Sequence, residues 1–308
     1  MIFPHEKTDW AEYLEEARSN FVAIVEAIRK YEKVLLVCAD VKEAQRYFAN
    51  GNNIEFVEYK TDDTWARDIS AISVEEDGEV VLYDFRFNAW GGKFEYAKDD
   101  ALTRSIASHY PSRVRSIDFI LEGGGIETNG KGVLLTTDAC MLNPNRNALD
   151  EQTTTRKLKE FFALDSVLYL RHGYLAGDDT DSHIDTLARF VDERTIMYVK
   201  CDDETDEHYE ELAKMEAELQ AIAKAYDFRL IALPFCDPIH YNGERLPATY
   251  ANFLLINGAV LVPVYGVRQD DAALQVFREF FADRDVIAVD CSVLIRQHGS
   301  LHCVTMHF

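Results

Sequence analysis

The sequence predicts an α/β protein: a five-bladed, pseudosymmetric propeller built from strand–strand–helix–strand (ββαβ) modules. Three observations lead there. A hairpin, helix and strand recur in that order four times, at intervals of roughly 50–70 residues. A fifth module can be assembled from the two ends of the chain, closing a ring and removing exposed sheet edges. Hydrophobic residues make up 47% of the 308, and no Pro/Gly/Ser-rich linker interrupts the pattern, so residues 1–308 are expected to form a single domain.

Residues 9–31 read as an amphipathic helix. Asp9 and Glu12 resemble a capping box, and Trp10, Leu14, Ala17, Phe21, Ile24 and Ile28 recur at three- and four-residue spacing. The run Val34-Leu35-Leu36-Val37-Cys38 follows as a buried strand. The first module then has strands at 69–75 and 80–87 around Glu76-Asp77-Gly78, a helix at 99–109 and a strand at 115–120. The second has strands at 125–128 and 132–137 around Asn129-Gly130, a helix at 151–163 and a strand at 166–170. The third has strands at 184–191 and 195–200, a helix at 204–226 and a strand at 229–233. The fourth has strands at 251–256 and 259–264 around Asn257-Gly258, a helix at 270–283 and a strand at 286–290. Asn-Gly at two of the hairpins is a specific turn signal. A last strand at about 301–307 is expected to pair near the N-terminal segment, completing the fifth module with helix 9–31 and strand 34–38. A doubly wound sheet would alternate single strands with helices, which the recurrent hairpins disfavour.

Acidic residues outnumber basic ones 54 to 32, for a formal charge of −22. Phosphate binding needs a basic face, so nucleic acid is excluded as a partner. The charge suits solubility and is compatible with a small cationic ligand. No apolar run reaches the roughly 18 residues of a spanning helix. The N-terminus lacks a basic region followed by an apolar stretch, so a cytoplasmic location without membrane association is expected. Six cysteines, Cys38, Cys140, Cys201, Cys236, Cys291 and Cys303, form no CxxC pair. A zinc site or disulfide framework is not expected, and most should be small buried hydrophobes.

Polar clusters open the modules. They are Asp62-Asp63-Thr64-Trp65-Ala66-Arg67-Asp68, Leu121-Glu122-Gly123-Gly124-Gly125, Gly177 to Asp185, and Leu246 to Asn252; Gly299-Ser300-Leu301-His302-Cys303 precedes the chain end. Equivalent blade ends converge on a pseudo-axis, so these clusters are expected to share one central site. Cys303 is then a candidate nucleophile, and His183 its acid/base partner. On a strand, His183 and Asp185 at i and i+2 share a face. His302 alternates with Cys303 and is read as packing or support. Asp68 could be half of a surface Arg–Asp pair or a buried carboxylate for a planar cation, since carboxylates accept the guanidinium fork bidentately. Trp65 could cover such a cation. Glu122 ahead of three glycines reads as an ordinary tight turn or as backbone approaching a ligand.

Together these motifs resemble the agmatine deiminase family of the guanidine-modifying superfamily, near the bacterial peptidyl-arginine deiminases. The resemblance spans nearly the whole chain. It is carried by Asp63-Thr64-Trp65-Ala66-Arg67-Asp68, Leu121-Glu122-Gly123-Gly124, His183-Ile184-Asp185 and Gly299-Ser300-Leu301-His302-Cys303. It implies a five-bladed α/β propeller and a cofactor-free, metal-free hydrolase that converts agmatine and water to N-carbamoylputrescine and ammonia, in polyamine (putrescine) synthesis. It further implies Cys303 as nucleophile, His183 as general acid/base, Asp68 and Asp185 as the clasp on the guanidinium, and Trp65, Glu122 and Asn252 as substrate-binding residues. Many relatives have Gly-Pro where this chain has Ile69-Ser70. The same chemistry would serve arginine, peptidyl-arginine or methylated arginine, and a pocket Arg reading an α-carboxylate would favour those substrates. A catalytically silent guanidine or polyamine binder is the alternative from another class, and a homo-oligomer is compatible with the sequence.

Overall fold

The computed structural model describes residues 1–308. It is a mixed α/β fold with four three-stranded sheets, each made the same way. In each, an antiparallel hairpin leads into a helix, and a third strand returns parallel to the second. The hairpin strands are Ile72–Glu76 with Glu79–Arg86, Ile126–Thr128 with Val133–Thr137, Ala188–Phe190 with Thr195–Lys200, and Leu254–Ile256 with Ala259–Val264. The parallel third strands are Arg113–Ile120, Ser166–Leu170, Arg229–Pro234 and Asp285–Asp290. The helices between them are Ala97–Ser105, Glu151–Phe162, Tyr209–Tyr226 and Asp270–Phe280.

Local sequence explains much of this. Asp77 and Gly78 both adopt positive φ, 52° and 83°, as a tight two-residue hairpin loop requires. The middle strand of each sheet has neighbours on both sides. All five residues of Val133–Thr137 are buried, as are the first five of Thr195–Lys200 and of Ala259–Val264. Such strands read as continuous apolar runs. The helices bury one stripe each, for example Ala273, Leu274 and Phe277 of Asp270–Phe280.

The N-terminal region departs from the expected module. Val34–Cys38 pairs in parallel with Ile54–Glu58, a strand absent from the sequence reading, and Ile2 bridges Val37 on the other side. No strand forms at 301–307. Residues 301–304 are a turn, because their backbone bonds to two other turns instead of to a sheet edge. The first helix begins at Leu14 after a 3₁₀ turn at Ala11–Tyr13, and no side chain caps either element. The helix expected from 204 begins at Tyr209.

Each hairpin is entered through one helical turn: Ala66–Ile69, Gly123–Gly125, Ile184–Thr186 and Tyr250–Asn252. These turns pack one against the next. The 301–304 turn bridges the last to the first. His302 N–H donates to the Asn252 carbonyl at 3.2 Å, and Arg67 N–H donates to the Cys303 carbonyl at 3.0 Å. Five turns distant in sequence therefore meet around one point.

Candidate active site

On one side of the five turns lies a cleft of about 730 Å³, measured to its open mouth. Cys303, His183, Asp68, Asp185 and Trp65 all line it. His183 and Asp185 do not arrive from a strand as expected. His183 precedes the 3₁₀ turn Ile184–Thr186, and Asp185 lies within it. The turn brings both side chains into the cleft because it packs between the neighbouring turns.

Gly124 shows how tightly these groups converge. A Cβ on it would lie 2.6 Å from His183 Nδ1, 3.0 Å from Asp68 Oδ1 and 3.1 Å from Asp185 Oδ2. Glycine is needed here for close approach. Its N–H donates to Asp68 Oδ1 at 2.8 Å, while Trp90 Nε1–H donates to Asp68 Oδ2 at 3.0 Å. Asp68 is thus fixed by two donors. His302 Nδ1 lies 2.7 Å from Asp185 Oδ2, and Asp185 Oδ1 is buried with no partner. A buried carboxylate oxygen left without a donor is one that a bound N–H would satisfy.

The electrostatics follow from burial and crowding. Burial pushes the Asp185 carboxyl up to about 7. Burial alone would strip His183 of its proton, but the Asp68 carboxylate, with Nδ1 3.8 Å from Oδ2, and Cys140 and Glu122 nearby raise its pKa well above the usual histidine value. The imidazole is therefore held as a cation at neutral pH. Burial, then the Asp185 and Asp68 charges, push the Cys303 thiol well above its ordinary value. The thiol therefore keeps its proton at neutral pH.

Glu122 and Asn252 do not line the cleft. Glu122 is turned away by Arg146, whose Nε donates to it at 3.0 Å with both side chains buried. Asn252 sits beneath the floor, where its Oδ1 accepts from His302 N–H at 2.8 Å and Cys303 N–H at 3.4 Å, orienting the cysteine's turn. Glu122, Cys140 and His183 place ligand atoms within 4.8 Å of one another and could hold a metal ion. The Arg146 cation already engages that carboxylate.

Trp90 escaped the sequence reading. Its loop, Asn88 to Gly92, carries positive φ at Ala89, Trp90, Gly91 and Gly92, and the Gly-Gly pair after the tryptophan was the available signal. Asp9 and Asp63 also reach the cleft, with Asp178 and Asp179 from the third cluster. Asp63 accepts from Trp65 Nε1–H at 3.0 Å, and burial and Asp9 raise its pKa well above normal. Asp178 is occupied by Thr180 and Ser182. Asp179 is pushed up to about 6 by burial and by Asp178. Six aspartates line the cleft, and no Lys or Arg does.

The family model of the Porphyromonas-type peptidyl-arginine deiminases matches residues 1–308. This chain belongs to that family. Within it, the chain is similar to the agmatine deiminase of Stutzerimonas stutzeri, 32% identical over 99% of this chain and 90% of the relative. Among solved structures, a cysteine-to-serine variant of the C. jejuni agmatine deiminase with substrate bound is 42% identical. It covers 98% of this chain and 90% of that one, with a TM-score of 0.94. The agmatine deiminase of Enterococcus faecalis is 25% identical over 99% and 90%, with a TM-score of 0.91. This member of the peptidyl-arginine deiminase family therefore shares its fold with agmatine deiminases along nearly its whole length.

Proposed function

We propose that this chain is an agmatine deiminase, a hydrolase that converts agmatine and water to N-carbamoylputrescine and ammonia in putrescine synthesis. The observation that carries the choice of substrate is the lining of the cleft: six aspartates with no Lys or Arg. Agmatine is a dication, whereas arginine and a C-terminal peptidyl arginine present a carboxylate that needs a cationic partner. Asp68 and Asp185 clasp the guanidinium, with Asp185 Oδ1 receiving one of its N–H groups. Trp65 covers its flat face, and Asp179 meets the terminal ammonium.

The reaction uses the charges of the site in sequence. Burial, then the Asp185 and Asp68 charges, hold the Cys303 thiol protonated; the entering guanidinium offsets those two charges, and the thiol gives its proton to solvent as substrate binds. The thiolate attacks the guanidinium carbon. His183, already cationic, protonates the departing nitrogen of the tetrahedral adduct, and the C–N bond breaks to release ammonia and leave a covalent thiouronium. Neutral His183 then takes a proton from water as it attacks the adduct. The C–S bond breaks, and the ureido product leaves. Asn252 positions the Cys303 turn, and Glu122 supports His183 from behind.

This reading includes the whole chain as one catalytic domain, with the five sheet-bearing units as blades of a propeller whose axis runs through the five turns. It also includes a cytoplasmic location; no helix is long and apolar enough to cross a membrane. The test is ammonia release from agmatine and from L-arginine, measured side by side on purified protein. Turnover of agmatine with little of arginine is expected. Turnover of arginine alone would overturn the assignment of the cleft's far end.

A further inference from the structure

Behind the five turns lies a second cavity of about 680 Å³, open to solvent, which shares no lining residue with the cleft. Its charged and titratable lining is Arg67, Arg189, Glu127, His302 and His307. Arg189 is 5% exposed and its charge is met, because Nε donates to Glu127 Oε2 at 2.8 Å and Nη1 to the Phe253 carbonyl at 2.7 Å. Arg67 has no carboxylate partner. Its Nε makes a long 3.4 Å contact to the His302 carbonyl, its Nη1 rests 3.0 Å from the Met306 sulfur, and its Nη2 is buried without any acceptor.

A half-buried guanidinium with one enclosed, unpartnered Nη2, otherwise satisfied by a thioether and one long carbonyl contact, is costly to keep, and the missing group is an acceptor of matching shape. The surrounding field has the sign this requires. Burial and Arg189 pull the Arg67 guanidinium down to about 10. Burial, Arg67 and Arg189 push His307 down to about 4, and burial and the same two arginines press His302 well below its usual value. Apart from Thr128, the remaining walls, including Ile126, Leu254 and Leu255, carry no polar side chain.

We propose that this cavity binds a small organic carboxylate, its carboxylate bridging the unpaired edge of Arg67 and its short apolar body lying against Ile126, Leu254 and Leu255. One uncompensated guanidinium matches a single negative charge, and the planar fork matches a carboxylate. Phosphate would bring excess charge and polar oxygens against leucine. The site stands apart from the deiminase reading and does not depend on it.

The experiment is thermal unfolding of the intact protein titrated with butyrate, against chloride at equal ionic strength. Phosphate and butylammonium are run as controls. A saturable rise in Tm is expected with butyrate, about 4 °C at a hundredfold excess over Kd. It should be lost in Arg67→Met and reached at lower butyrate in Glu127→Gln, which frees the charge of Arg189. No rise, an equal rise in Arg67→Met, or a rise with phosphate or butylammonium that matches butyrate would overturn the proposal. Should Arg67→Met fail to fold, Glu127→Gln decides alone: weaker or unchanged butyrate affinity there overturns it.

Discussion

The cleft and the rear cavity are built from the same turns yet carry opposite charge. Arg67 faces the rear and Asp68 the cleft; His302 faces the rear and Cys303 the cleft. Neighbouring residues of a tight turn project to opposite sides, so a pair that looks like a local ion pair in sequence is divided between two environments. Asp68 and Asp185 gather donors and await a cation, whereas burial and the two arginines Arg67 and Arg189 hold His302 and His307 below their usual values. The contrast shows that the charge left unpaired at this centre is sorted by side, acidic in the cleft and basic behind it.

The largest test of the contrast is Cys303→Ala. It removes the one cysteine of the cleft and should lower agmatine turnover by at least about 10⁴-fold, with Tm near wild type. Retained turnover would show that the acidic side is a binding pocket only. Gly124→Ala sets a methyl into the space shared by His183, Asp68 and Asp185. Displacing these groups by about 1 Å should lower kcat/KM about 10²-fold, while butyrate binding at the rear stays unchanged. Loss of both would mean that the two sides are not separable.

Asp185→Asn keeps the size of the clasp and removes its charge. A drop in kcat/KM of about 10- to 100-fold at pH 8 is expected, from loss of a charge-assisted hydrogen bond. In the wild type, kcat/KM should fall as pH drops below about 7, where Asp185 takes up its proton. The Asn variant should lose that limb. Stability moves the other way. The folded carboxyl binds its proton more tightly than the unfolded one at 3.8, so this group's contribution is present below about pH 4 and lost as pH rises through 7. Urea melts of the two proteins should therefore diverge in favour of Asn as pH rises; parallel curves would remove the buried-carboxylate account. The smallest effect is expected from Trp90→Phe. It deletes one of Asp68's two donors and should cost about fivefold in kcat/KM.

Much of the architecture was legible in the sequence, because hairpins leave strong local signals. Asp77-Gly78 and the two Asn-Gly pairs each fall where the chain reverses. The candidate residues at the cleft were legible through their clustering at equivalent ends of repeated modules. The sequence misled where tertiary bonds override local preference. Residues 301–304 look extended, with β-branched Val304 and Thr305 adjoining, but Asn252 and Arg67 hold them as a turn. Asp185 reaches the cleft from a 3₁₀ turn, so same-face spacing on a strand was the wrong reason for placing it beside His183. Ile54–Glu58 was missed because only Ile54 and Val57 are buried, too few for an apolar run. Trp90 was missed because its partner Asp68 lies 22 residues away, and no periodicity announces such a contact.

The state of the Cys303 thiol has a consequence for the lifetime of the molecule. Peroxide and most neutral electrophiles react with thiolates and spare thiols. A cysteine kept protonated by burial and by two carboxylates is shielded from them chemically, and its 8% exposure shields it sterically. In the proposed mechanism the chemical protection lifts while a bound guanidinium offsets those carboxylates. Oxidative inactivation should therefore track how often the protein is loaded, making wear a function of use more than of age.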